Sequence, residues 1–150
     1  MSRNRQAIEP LPNPSVRQIG NTRFWEMMEV YRLFLPPPWQ DIEMVLPFKW
    51  IYDRATIPEL VPAWIVSKDD LGCLPPAPHD ASYSKRGIFE IPTTTPTAPY
   101  LVQNGFIIAH RFTRAETDRI FHTLLLIQRV PSWRAKAAFW AVRWFNKEWD

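Results

Sequence analysis

The chain has 150 residues, of which 46% are apolar and 22% charged, and a formal net charge of +3. That is the size and composition of one folded domain with a real core, which excludes a disordered or collagen-like chain. One cysteine, Cys73, excludes an intramolecular disulfide and a multi-cysteine zinc site. No apolar run reaches the ~18 residues of a membrane span, and the first residues lack the apolar stretch of a secretory leader, so neither spanning nor general secretion is expected. Sixteen prolines against four glycines point to a stiff, loop-rich path, and eight tryptophans to a strong core or an adhesive surface. Charge is uneven: residues 41–80 carry three basic and seven acidic groups, residues 111–150 eight basic and four acidic. This polarity is too slight to mark nucleic acid as a specific partner.

In chain order, residues 1–20 are polar and broken by Pro10, Pro12 and Pro14, and are expected to form an arm before a single compact domain at 21–150. Residues 22–35 have apolar spacing that admits a short helix, closed by Pro36, Pro37 and Pro38. D-I-E-M-V-L at 41–46 alternates as a strand, and 49–52 suits a second. Residues 53–58 read as a turn, and 62–78 as a loop carrying Asp69, Asp70 and the prolines 75, 76 and 78. A helix through His79 and Lys85 follows, stopped by Gly87. The apolar runs 88–91 and 100–109, separated by T-T-T-P-T-A-P, suggest a hairpin with a long connection. Thr113 and Glu116 have capping-box spacing and open a helix to about residue 129. Pro131 and Ser132 open another, from 133 to about 146. The expected class is α+β, with small antiparallel strands packed against about three principal helices.

Chemistry concentrates on few residues. His79 and Asp80 sit near a helix start, where backbone N–H groups favour anions, and Tyr83 shares a helix face with them. Asp80 is either a helix cap or a cation ligand. Asp118 falls on the apolar side of the helix from 113, where a carboxylate needs a histidine, arginine, hydroxyl or metal partner. Paired with His79, it forms either a structural network or an oriented general base. His122 is placed for an i,i+4 contact with Asp118 or, with His79 and Asp80, for a metal set. Asp53, Arg54 and Thr56 form a second polar knot, either an Asx-turn or a neighbour of His79, with Asp53 as a further metal candidate. Arg111 and Arg114 suit surface ion pairs. In the last helix, Trp133, Ala137, Trp140, Ala141 and Trp144 share a face fit for the core, for a neighbouring subunit, or for a membrane surface, and Trp149 extends the aromatic set. No phosphate loop, nucleophile elbow or dinucleotide fingerprint occurs.

The ordered segments I-Y-D-R-A-T-I-P, P-H-D-A-S-Y, T-R-A-E-T-D-R-I-F and F-W-A-V-R-W-F resemble a family of tailed-phage and prophage proteins known as domain of unknown function 1353, over roughly residues 42–149. The resemblance carries over Asp53, Thr56, Pro58, His79, Asp80, Tyr83, Arg114 and Asp118. Tyr52 stands where the family has threonine, Thr56 where it has serine, and Glu116-Thr117 where it has an alanine step. It implies a virion or tail-associated assembly role, with other tail or virion proteins as partners, in the virion or in the host cytoplasm during assembly. Locally, H-D-x-x-Y with a later aspartate helix is similar to the phospholipase A2 pair, although the glycine-rich calcium loop and its cysteines are missing. That likeness implies an ester hydrolase acting on lipid or envelope material, in which His79 is the base, Asp80 binds calcium and Asp118 orients His79. The hydrolase reading requires a solvent-accessible His79 with Asp118 behind it.

Overall fold

Side-chain alternation decides the first half of the chain. The computed structural model describes residues 11–22, 24–53 and 75–145, and among these residues five short strands lie in the first half of the chain: β1 (Val16–Gln18), β2 (Phe24–Met27), β3 (Tyr31–Phe34), β4 (Ile42–Leu46) and β5 (Ile51–Asp53). Residues 22–35, whose spacing admits a helix, are therefore strands. Leu33 is buried while Arg32 and Phe34 face outward, and this period of two lets β3 pair along β4, a gain that an irregular helical stripe does not offer. β1, β2 and β5 form one antiparallel sheet, so Val16–Gln18, within the expected arm, is sheet-paired.

The run after residue 87 pairs differently from the expected hairpin. β6 (Ile88–Phe89) pairs with β9 (His110–Arg111), while β7 (Tyr100–Gln103) and β8 (Phe106–Ile108) make their own tight hairpin and extend a second sheet in the order β3-β4-β7-β8. The cause is Asn104-Gly105, with φ of +53° and +83°. A two-residue turn with both φ positive matches the twist of the strands it joins.

Among the described residues three helices complete an α+β fold: α1 (Pro76–Ser84), α2 (Arg114–Ile127) and α3 (Ser132–Phe145). Prolines 76 and 78 are tolerated in the first turn of α1, where backbone N–H groups have no helical partner in any case. The capping box forms as expected: Glu116 N donates to Thr113 Oγ1 at 3.0 Å, and Thr113 N donates to Glu116 Oε1 at 2.9 Å. Both α1 and α2 end in Schellman turns, with Arg86 (φ +52°) and Arg129 (φ +66°) in the left-handed position. Gly87 N returns to Ser82 O, and Val130 N to Leu125 O. Among the described residues no helix is long and apolar enough to cross a membrane.

Helix α2 is buried on two sides. Ile120 and Leu124 join Met27, Met44, Tyr52, Phe89, Leu101 and Phe112 in the core beneath the sheets, together with Ala77 and Ala81 of α1. Phe121 and Leu125 pack with Ala135, Ala138, Ala141 and Val142 of α3. The contact face of α3 is thus its small-residue stripe. Trp133, Trp140 and Trp144, whose shared face suited the core, a neighbouring subunit or a membrane surface, are 55%, 47% and 63% exposed and so lie outside that contact. Two apolar stripes compete in this helix, and the alanines allow the closer approach to α2. Thr56, Pro58, Cys73 and Trp149 lie outside the described residues.

A Cβ added at Gly105 meets nothing within 4 Å, so Gly105→Ala tests the turn's backbone alone. It is expected to lower stability by about 1–2 kcal/mol in urea unfolding. An unchanged midpoint would contradict a left-handed residue at this position.

Candidate functional site

The small β6-β9 pair brings the polar residues together. α1 runs into β6 and β9 runs into α2, with Ile88 opposite Arg111 in an antiparallel register and Phe112 N bonded to Gly87 O at 2.9 Å. The two helices are therefore folded back on each other from a fixed point. Tyr83 meets Asp118, and the His79 ring, one turn earlier, also lies 4.9 Å from the Phe121 ring, one turn later, at a tilt of 46°. α3 returns along the other side of α2, where Phe139 faces His122 and Arg143 reaches Asp118.

Asp118 is completely buried and is the centre of the site. His79 Nε2 lies 2.8 Å from its Oδ1, and the Tyr83 hydroxyl donates to the same oxygen at 2.9 Å. Arg143 Nη1 donates to Oδ2 at 3.1 Å. All three helices thus supply side chains to one cluster. The His79 and Tyr83 rings lie 4.2 Å apart at 30°. Arg114, expected at the surface, is buried and donates from Nη2 to the Arg143 carbonyl oxygen at 3.2 Å, which ties the start of α2 to the end of α3.

Burial pushes the His79 imidazole below its ordinary pKa, and the hydrogen bond and charge of Asp118 offset this only in part. The ring is accordingly neutral near pH 7. Because the carboxylate accepts, Nε2 carries the proton and Nδ1 is left as a bare acceptor, with no hydrogen bond among the described residues. The Tyr83 phenol is pushed up, first by burial and then by Asp118. His122 makes no hydrogen bond or ion pair with Asp118. Its ring lies 5.2 Å from Phe139, and partial burial, then Lys136, lower its pKa.

A neutral imidazole oriented by a buried aspartate has the form of a general base, and here Asp118 does stand behind His79. The ring itself is only 4% exposed. Three open clefts, at residues 85–99, on the outer face of the β3-β4-β7-β8 sheet and around Leu126 at the end of α2, are lined by neither His79 nor Asp118. Asp80 is half-buried in the second turn of α1 and is not its cap, since that position belongs to Pro75. Asp53 closes β5, with its backbone opposite Phe24. Among the described residues no group of three or more His, Cys, Asp or Glu side chains is assembled for a metal.

Of the expected site residues, His79, Asp118 and Tyr83 come together directly, and Arg114 joins through Arg143. Arg143 is the partner that sequence reasoning missed. At 100° per residue it falls between the stripe that docks on α2 and the line of tryptophans, so periodicity gave no signal for it.

Residues 38–142, about 70% of the chain, match the family model described as "Protein of unknown function (DUF1353)", and the chain belongs to that family. No curated protein and no solved structure matches it.

Removing the carboxylate strands an imidazole N–H, a phenol and a guanidinium, so Asp118→Ala is expected to cost about 3–5 kcal/mol in denaturant unfolding. The adjacent Thr117 hydroxyl is buried with no hydrogen-bond partner among the described residues, and Thr117→Val is expected to be neutral or stabilising. Equal losses at the two positions would refute the assignment of the network to Asp118.

Acid titration gives a second check. The folded His79 pKa lies below the unfolded value near ~6.5. As pH falls through that value the unfolded chain takes up a proton that the folded chain refuses, so stability is lost on acidification. His79→Gln keeps an amide donor for Asp118 and is expected to flatten the loss of stability as pH falls below about 6.5, leaving the contribution of His122 with the same sign. An unaltered slope would place the linkage elsewhere.

Proposed function

From membership of the DUF1353 family and the closed state of the Asp118 knot, we propose that the chain is a non-catalytic component of a phage or prophage particle, binding tail or virion proteins during assembly. The observation that carries this reading is that His79 is 4% exposed, with its Nε2 held by a wholly buried Asp118 that also takes Tyr83 and Arg143. Such a network locks three helices together and leaves function to the surface. The outer face of the β3-β4-β7-β8 sheet suits a protein neighbour. Phe34, Glu43, Val102 and Ile107 form one cross-strand row, in which Phe34 is 62% and Ile107 41% exposed. They border an open cleft of about 530 Å³, and β3 and β8 are the sheet edges, which are natural sites for association. The phage setting follows from the family resemblance, and with it a location in the virion or in the host cytoplasm during assembly.

The Nδ1 acceptor favours a second reading, a calcium-assisted ester hydrolase acting on lipid or envelope material. There His79 would be the base, Asp118 its orienting group, Asp80 and Asp53 the metal ligands, and Tyr83, Thr56 and Arg114 the support.

One experiment separates the two. Particles are purified from cells producing the phage that encodes the chain, and the chain is sought in them by mass spectrometry. The isolated protein is assayed in parallel on ester substrates with calcium. The assembly reading expects the chain in particles, its loss with Phe34→Glu/Ile107→Glu, its retention with His79→Gln, and no ester cleavage. Cleavage that disappears in His79→Gln would overturn it in favour of the hydrolase.

A further inference from the structure

Helix α3 carries a second apolar stripe, opposite the one that docks on α2. At 3.6 residues per turn, Trp133, Trp140 and Trp144 fall within an arc of about 40°, and all three point to solvent with roughly half of each side chain exposed. We infer that this stripe is a contact site for an anionic lipid surface, a property independent of the assembly reading above.

Charge and residue type both favour that occupant. Between Ser132 and Phe145 the helix holds Arg134, Lys136 and Arg143 and no acidic residue. Arg143 is turned inward to Asp118. Lys136 is exposed beside the stripe, Arg134 lies 5.1 Å from the Trp133 ring, and exposed Arg129 precedes the helix. Cations flanking an aromatic line are what a negatively charged headgroup layer attracts. Tryptophan, with a large apolar body and one N–H, is the side chain best suited to headgroup depth.

The extent of the stripe argues against a second copy of the chain. At no more than ~250 Å² for each indole, the exposed part of the three totals at most about 400 Å². A specific protein interface takes about 800 Å² from each partner. A single line of rings on one convex helix falls short of that. It is enough for an interfacial helix, which lies in the plane of the bilayer and inserts only its apolar edge.

The test uses the whole chain and vesicles of phosphatidylcholine, alone or with about a third phosphatidylglycerol. The expected result is co-sedimentation with the anionic vesicles, weakened by salt, and quenching of tryptophan emission by brominated lipid. The triple substitution Trp133→Ala/Trp140→Ala/Trp144→Ala removes only exposed rings and is expected to lower binding at least about tenfold. Lys136→Glu retains every indole and is expected to lower binding about tenfold on anionic vesicles only. Circular dichroism matching the parent confirms that both variants are folded. Failure of the parent to bind, or undiminished binding by the triple variant, would overturn the proposal. So would a dimer seen by light scattering that the triple substitution dissolves, because the stripe would then serve a second copy.

Discussion

The structure turns on a single carboxylate that has no access to water. Asp118 is wholly buried and is held by His79, Tyr83 and Arg143, one helix contributing two of these donors and another the third. A charge in such a place is costly unless its partners are well placed. The geometry that places them, the β6-β9 pair and the two helical turns around α2, is therefore under tight constraint. The same burial keeps His79 neutral and out of reach.

Helix α2 carries this constraint in both directions. Its two faces lie in different clusters, Ile120 and Leu124 beneath the sheets and Phe121 and Leu125 against α3. Asp118 sits where those clusters meet. Movement of α3 away from α2 would take Arg143 from the carboxylate and its carbonyl oxygen from Arg114. Movement of α1 would take away the imidazole and the phenol. The knot thus couples the sheets to the last helix through one residue.

Features that depend on local spacing were legible in the sequence. The capping box at Thr113 and Glu116, the alternation of β4 and the apolar placement of Asp118 all follow from neighbours within a turn or a pleat. Because a carboxylate on an apolar face demands a partner, the pairing of His79 with Asp118 was also within reach. What was hidden depended on competition between equivalent local choices. Residues 22–35 satisfied a helical spacing as loosely as an alternating one, and only the partner strand β4 decides between them. In α3 both stripes had helical spacing, and the decision rested on side-chain volume against α2. The Asn104-Gly105 turn was an available signal that the longer T-T-T-P-T-A-P segment obscured. Arg143 stayed hidden because its role depends on which stripe of α3 faces inward.

The double burial of α2 also bears on how the chain is made. Arg143 follows Asp118 by 25 residues, and at 5–20 residues per second a ribosome needs roughly 1–5 s to add them. During that interval a helix with two greasy sides is already synthesised, while the segment that covers one of them is still to come. The nascent protein therefore passes through a stage in which Phe121 and Leu125 have no cover and Asp118 lacks its cation.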